Sequence, residues 1–435
     1  MARSSEIVDA MVRGRAARIV LLLGLATYVL VRGVVPALSA IDADFPGYFT
    51  AAKIVADGVD AERLYDDTWF REQVRHYGLE SAKNPAKFAP FPPPTALLLL
   101  PLTPLDPLTA LRVVTVVSVF CLISSMLLLA RALTWSLLDS ALFILSGLGI
   151  IGCLRAGQPY ILISTFCILG YLLYLRGRPW LAGICLGVFA PVKYYPAIIL
   201  ACLALQKQWK AVLGGAIAIF AVVLISVAAL GWKIHQIFLL SVLGNHLTGH
   251  LSLDYVHTVA FTAAYQSFDT LYARLFIFDP VWNLHPLVAA PLLRTVGLAI
   301  TKGSILFAAI ATLVSLARKE AASALAPSVG ITGILVLLIA PATAGYMCVL
   351  LWLPVALLIK HFLCQGARLP AYLILGIYVL MGLFPYGRTY VFEGRGGLTV
   401  LAYPRLFLLL AMFVTSVYFI ARLGGRAGRD GPVAV

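Results

Sequence analysis

Apolar runs long enough to cross a bilayer recur along this chain and decide its fold class. A span needs roughly 20 apolar residues, and such runs lie at 19–40, 107–130, 136–153, 159–175, 211–231, 286–316, 322–341, 346–363, 370–385 and 399–422. Of the 435 residues, 61% are apolar and only 12% charged; a soluble protein carries about 25% charged residues. The sequence predicts an all-α polytopic membrane protein, a single integral domain over 1–435, with about ten full transmembrane helices. Arg3, Arg13, Arg15 and Arg18 precede the first run, which has no small-residue cleavage site, so that run reads as a retained span and not a signal peptide.

The stretch 180–206 departs from the pattern because cations flank it on both sides, Arg176 and Arg178 before it and Lys207 and Lys210 after it. Its middle, "APVKYYP", places Pro191 and Pro196 around Lys193 and interrupts helical hydrogen bonding there. Two half-helices that enter the membrane and return satisfy both features. With that broken-helix hairpin, the segment 1–18, Arg131, Arg176/Arg178, Lys207/Lys210, Arg318/Lys319, Lys360/Arg368 and the tail 423–435 all fall on one side, which the positive-inside rule makes cytoplasmic. Three segments then face outward: a first external loop, 41–94, a second, 232–285, and 386–398. The first holds 9 of the 19 acidic residues and contains amphipathic stretches expected to form short surface helices.

A net charge of +14 invites a nucleic-acid reading, but the Lys and Arg residues sit in short groups at the ends of apolar runs, so nucleic acid is not an expected partner. The seven cysteines lie in or beside apolar runs without Cys-x-x-Cys spacing and read as small buried hydrophobes. No solenoid repeat, coiled coil or low-complexity segment is present.

Polar groups close to an apolar phase are functional candidates, with helix packing as the plainer alternative. Asp42 and Asp44, in "AIDADFPGYF", stand where the first span ends. Each is a possible general base, although Asp44, two residues before Pro46, also fits the N-cap of a helix. "RAGQPY" offers Arg155 and Gln158 for an anionic or hydroxyl-rich ligand, or a plain turn. Lys193, with Tyr194 beside it at the hairpin tip, cannot easily reach cytoplasmic water and calls for an anion such as phosphate. In "AYQSFDTLYARLF", Gln266, Ser267 and Arg274 read as lying within three helical turns. Tyr346, in "APATAGYM", is a possible hydrogen-bonding group, and Arg388, Arg395 and Arg405 are further cations on the same side. Five of the seven histidines fall in 232–285, including the His-x-x-x-His of His246 and His250. That pair lacks the Glu of a zinc-protease motif, and no metal site is expected.

The ordered set "DADFPGYFTAA", "FAPFPPPTALLLLPL", "GQPYILI", "GICLGVFAPVKYYPAIILACLALQKQWKA", "YQSFDTLYARLF" and "LAYPRLFLLL" resembles the bacterial GT-C-type, polyprenyl-phosphate-sugar-dependent glycosyltransferases. The branch is the one that includes mycobacterial mannosyltransferases of phosphatidylinositol mannoside synthesis. The resemblance implies an inverting enzyme of the bacterial cytoplasmic membrane, acting on the periplasmic side. It would move mannose or another hexose or pentose from a polyprenyl-phosphate donor to a lipid or glycan hydroxyl, with no cofactor or metal. It makes Asp44 the base, with Asp42 second. Lys193, Arg274 and Arg155 become contacts to the donor phosphate, and Tyr48, Gln158, Tyr194, Gln266 and Tyr346 contacts to substrate. Mannosyltransferases of the branch often carry Trp and His after the Pro of the late external break, where this chain reads "PATAGYM", so mannose itself is not implied. A transporter or flippase of a lipid-linked sugar is the alternative, but a transporter commonly shows inverted repeats and paired broken helices, and here there is one broken pair. A non-catalytic envelope scaffold is the third reading.

Overall fold

The computed structural model of the protein describes residues 2–42, 44–79, 86–244 and 261–427; His246, His250 and His257 lie outside them. Among the described residues the regular elements are all helical. The first is α1 (Ala2–Val29), which passes through a π-helical turn, Leu30–Val34, into α2 (Val35–Ser39). Next come α3 (Phe45–Ala56) and α4 (Asp67–His76), with 3-10 turns at Ala61–Tyr65, Pro93–Leu97 and Leu100–Leu102. The bundle continues with α5 (Pro107–Leu133), α6 (Leu137–Leu145), α7 (Ile150–Ala156), α8 (Tyr160–Leu175), α9 (Pro179–Phe189), α10 (Tyr195–Leu205), α11 (Trp209–Leu230) and α12 (Trp232–Ile237). After residue 260 come α13 (Phe268–Phe276), α14 (Pro291–Ala317), α15 (Ala321–Ile339), α16 (Trp352–Cys364), α17 (Arg368–Leu383) and α18 (Pro404–Ala427).

Each expected span corresponds to helix. Among the described residues, six segments are long and apolar enough to cross a membrane: Gly14–Ser39, Pro107–Leu133, Trp209–Leu230, Pro291–Ala317, Gly345–Cys364 and Pro404–Leu423. The run 136–153 is α6 and α7 bent by 67°, and 370–385 is α17 with the turn Tyr386–Phe392 bent by 77°, which makes up to eight spans if each pair counts once. The runs 159–175 and 322–341 form shorter apolar helices. The expected hairpin is α9 and α10, both too short to span and broken at 190–194, where Lys193 N–H still bonds Phe189 O at 2.9 Å. They pack on each other and on α11.

The segment after α2 is built differently from a set of surface helices. In α3 every residue from Phe45 to Ala52, and Ile54, is buried. Together with Phe70, Phe88, Leu99, Leu111 and Ile234 they form a second core, separate from the large one that runs through the bundle. Only α4 keeps the expected amphipathic form, with Trp69, Phe70 and Val74 buried on one face. Its N-cap Asp66 accepts from Trp69 N–H and pairs with Arg63, and these contacts hold the exposed carboxyl below its ordinary range.

Candidate active site

The two cores meet where α2 gives way to α3. Asp44 occupies the N-cap position of α3, but its side chain makes no capping bond. Its Oδ2 instead accepts from Gln158 Nε2 at 2.6 Å, 114 residues further along the chain. An ionised carboxylate only accepts, so the amide must present its NH2 to Asp44 and its carbonyl to the other side. There Tyr48 Oη, one turn into α3, donates to Gln158 Oε1 at 2.7 Å. Tyr48 and Gln158 are each 1% exposed, so this relay is shielded from competing water.

Gln158 is delivered by the C-terminus of α7. Gly157 has φ +61° and closes a Schellman turn, Gln158 N–H bonding Cys153 O at 2.9 Å and Gly157 N–H bonding Leu154 O at 3.3 Å. A Cβ at Gly157 would stand 2.9 Å from the Phe45 ring, so the residue is needed for space as well as for conformation. Arg155, in the last turn of α7, pairs with Asp42 Oδ2 at 2.9 Å, both side chains 45% exposed. The two carboxylates therefore have different surroundings: Asp42 joins an ion pair at the rim, and Asp44 is held by a buried amide.

Lys193 reaches the same place from the break between α9 and α10. Its Nζ lies 3.8 Å from the Phe91 ring centroid, 5.1 Å from Tyr160 and 5.5 Å from Tyr48. Tyr48 and Phe91 are stacked at 4.7 Å. Ring faces stabilise an ammonium electrostatically without consuming its N–H donors. Lys193, Tyr265 and Tyr346 all lie within electrostatic reach of Asp44. Tyr346 stacks on Tyr160 at 5.7 Å. A carboxylate, an ammonium and a tyrosine-rich wall thus face one another, an arrangement able to take a proton from a hydroxyl beside a negatively charged leaving group.

Other candidates lie elsewhere. Tyr194 is half exposed at the start of α10 and interacts with Tyr65. Gln266 is buried, its Oε1 accepting from the Arg405 backbone N–H at 2.7 Å. Ser267 caps α13 in a capping box with Thr270, which leaves Gln266 before the helix and off the face that carries Arg274. Arg274 pairs with Glu393 at 2.8 Å. Arg405 donates to Thr343 O at 2.6 Å and Ala264 O at 3.0 Å, binding the loops behind Tyr265 and Tyr346. Arg388 and Arg395 are exposed. Among the described residues no three His, Cys, Asp or Glu side chains converge as a metal site would require. Phe91, Tyr160 and Tyr265 are not singled out by the sequence reading; Phe91 stands beside Pro92, Tyr160 follows the Gly-Gln-Pro turn, and Tyr265 carries no such local signal.

Residues 88–341, more than half of the chain, match the sequence pattern of Glycosyltransferase family 87. The chain belongs to that family. No curated protein and no solved structure matches it. Family 87 is GT-C-like, and the protein is a multi-pass membrane glycosyltransferase. The matched segment of this family 87 member contains Phe91, Gln158, Tyr160 and Lys193, whereas Asp44 and Tyr48 precede it and Tyr346 follows it.

Proposed function

We propose that this glycosyltransferase transfers a hexose or pentose from a polyprenyl-phosphate donor to a hydroxyl of a lipid or glycan, with inversion at the anomeric carbon. Asp44 takes the acceptor's proton as its oxygen bonds to that carbon. The bond from the carbon to the phosphate oxygen breaks, and Lys193 meets the charge left on the polyprenyl phosphate. The observation that carries this reading is that, among the described residues, neither group is neutralised by an ion pair: Asp44 does not cap its helix and is held by the neutral Gln158 amide, and Lys193 is surrounded by rings with no carboxylate within ion-pair distance. In this scheme Lys193 meets the phosphate charge without a metal or cofactor.

In this reading the site faces the external side of the cytoplasmic membrane and both termini lie inside. Arg131, Arg176, Lys207 and Arg318 support this, since they stand at the helix ends remote from Asp44. The likeness to the phosphatidylinositol mannoside mannosyltransferases supports a hexose. The Trp-His pair common in that branch is replaced here by a stretch in which Tyr346 stacks on Tyr160, so pentoses remain in the donor class.

The test is transfer from polyprenyl-phosphate mannose and its other hexose and pentose analogues in isolated membranes. Asp44→Asn keeps an oxygen for Gln158 and removes the base, so transfer should fall by about 10²–10⁴-fold in a folded protein. Asp42→Asn, which removes the exposed ion pair with Arg155, should leave transfer largely intact. Full activity in Asp44→Asn would overturn the assignment.

A further inference from the structure

The segment between α13 and α14 turns Asp279 and Asn283 inward and most of its apolar groups outward, with His285 exposed among them. Asp279 and Asn283 exchange backbone hydrogen bonds, both 3.1 Å, to close a turn. Asp279 Oδ1 accepts from the N–H groups of Val281 and Trp282, both at 2.8 Å. Asn283 Nδ2 donates to Arg274 O at 3.0 Å and to Ile277 O, and Arg274 Nη1 donates to Trp282 O. Arg274 in turn pairs with Glu393, which also accepts from Ala263 N–H at 2.8 Å, and Gly396 N–H bonds His285 O at 2.9 Å. Asp279 and Asn283 are buried, while Val281 is 72% exposed and Phe278, Trp282 and Leu284 stand out beside it. The fixed turn therefore presents an apolar surface that its own fold leaves uncovered, and such a surface marks an interaction site.

Two observations identify what covers it. The first is continuity: Ala290 N–H bonds Phe276 O at 2.9 Å, so the turn runs directly into α14, whose Leu292, Val296 and Ile300 face outward on a span long enough to cross the membrane. The second is charge. The adjoining turns place Arg388 and Arg395 in the open beside exposed Leu398, whereas the carboxylates of this region, Asp279 and Glu393, point inward to their partners. An apolar surface that prolongs a lipid-facing helix and has the exposed cations Arg388 and Arg395 on adjoining turns fits the acyl chains and phosphates of phospholipids.

We propose that the turn 278–288 is seated in the bilayer at the Asp44 end of the molecule and binds phospholipid there. This is independent of the reaction assigned to Asp44. In proteoliposomes of phosphatidylcholine and phosphatidylglycerol, the emission of Trp282 is obtained as the difference between the wild-type protein and Trp282→Phe. Phospholipid brominated on its acyl chains should remove most of that component, and iodide added to the water should not. Quenching by iodide alone would show a solvent-facing turn and overturn the proposal. Protection from both quenchers would show a protein cover, a second copy included, and would overturn it equally. Should Trp282→Phe disturb the fold, a nitroxide at Val281→Cys in a Cys364→Ser background gives the same decision. Its collisions with oxygen should exceed those with a water-soluble nickel chelate, and the reverse order would refute the seating.

Discussion

At the scale of single residues, the hydroxyl of Tyr48 decides which way the Gln158 amide points. Without it, nothing in the relay opposes an amide flip except repulsion between Gln158 Oε1 and the Asp44 carboxylate, and a buried carbonyl loses its donor. An orphaned buried acceptor costs about 1–3 kcal/mol. Tyr48→Phe keeps the ring that stacks on Phe91 and faces Lys193, so ligand binding through the ring wall is preserved. The variant should therefore lower kcat by roughly 10-fold, with the KM for the donor unchanged, in steady-state transfer assays. An equal loss in both constants would point to a general disturbance of the fold, and an unchanged kcat would remove Tyr48 from the positioning of Asp44.

At the scale of elements, the junction of α7 with α3 sets the distance between Asp44 and Gln158. Gly157 lies there with a left-handed backbone that costs other residues about 1–2 kcal/mol. A methyl group at 157 would also meet Phe45, the first residue of α3, and Leu111 at 3.3 Å. Gly157→Ala should destabilise the protein by about 2 kcal/mol or more and, because the clash pushes on the start of α3, lower kcat as well. Thermal unfolding in detergent and transfer rates on the same preparation check both effects. The elements also divide into those legible in the sequence and those that were not. Pro191, Pro196 and the cations on both flanks announced the break between α9 and α10, because proline acts locally and charge placement follows the membrane. The burial of α3 was not announced. Its amphipathic appearance is a local property, while the partners that cover it, Phe88, Leu99 and Ile234, come from distant segments. The same limit applies to Asp44, for which the nearby proline suggested a cap and a residue 114 positions away provides the actual partner. Arg274 and Gln266 were grouped by spacing, and the Ser267 capping box separates them.

At the scale of the whole molecule, the site lies on the seam between two hydrophobic cores. Tyr48 and Phe91 belong to the smaller core or pack against it, Asp44 stands at the start of α3 beside Phe45 of that core, and Tyr160 and Tyr346 belong to or pack on the larger one. Lys193, at the break in the hairpin, faces rings from both sides of the seam. A ligand held at Lys193 touches both bodies and so strengthens their docking, which couples binding to global stability. A ligand at 100 times its Kd stabilises the native state by about 2.7 kcal/mol, which for a chain of this length corresponds to a rise in Tm of a few degrees. Polyprenyl monophosphate should produce that rise in the wild-type protein. Lys193→Met retains an unbranched apolar side chain that favours aromatic contact while removing the ammonium. It should fold with a similar Tm but lose the rise. A full rise in Lys193→Met would move the phosphate away from the ring-lined break and leave Arg155, on the rim beside Asp42, as the cation to test next.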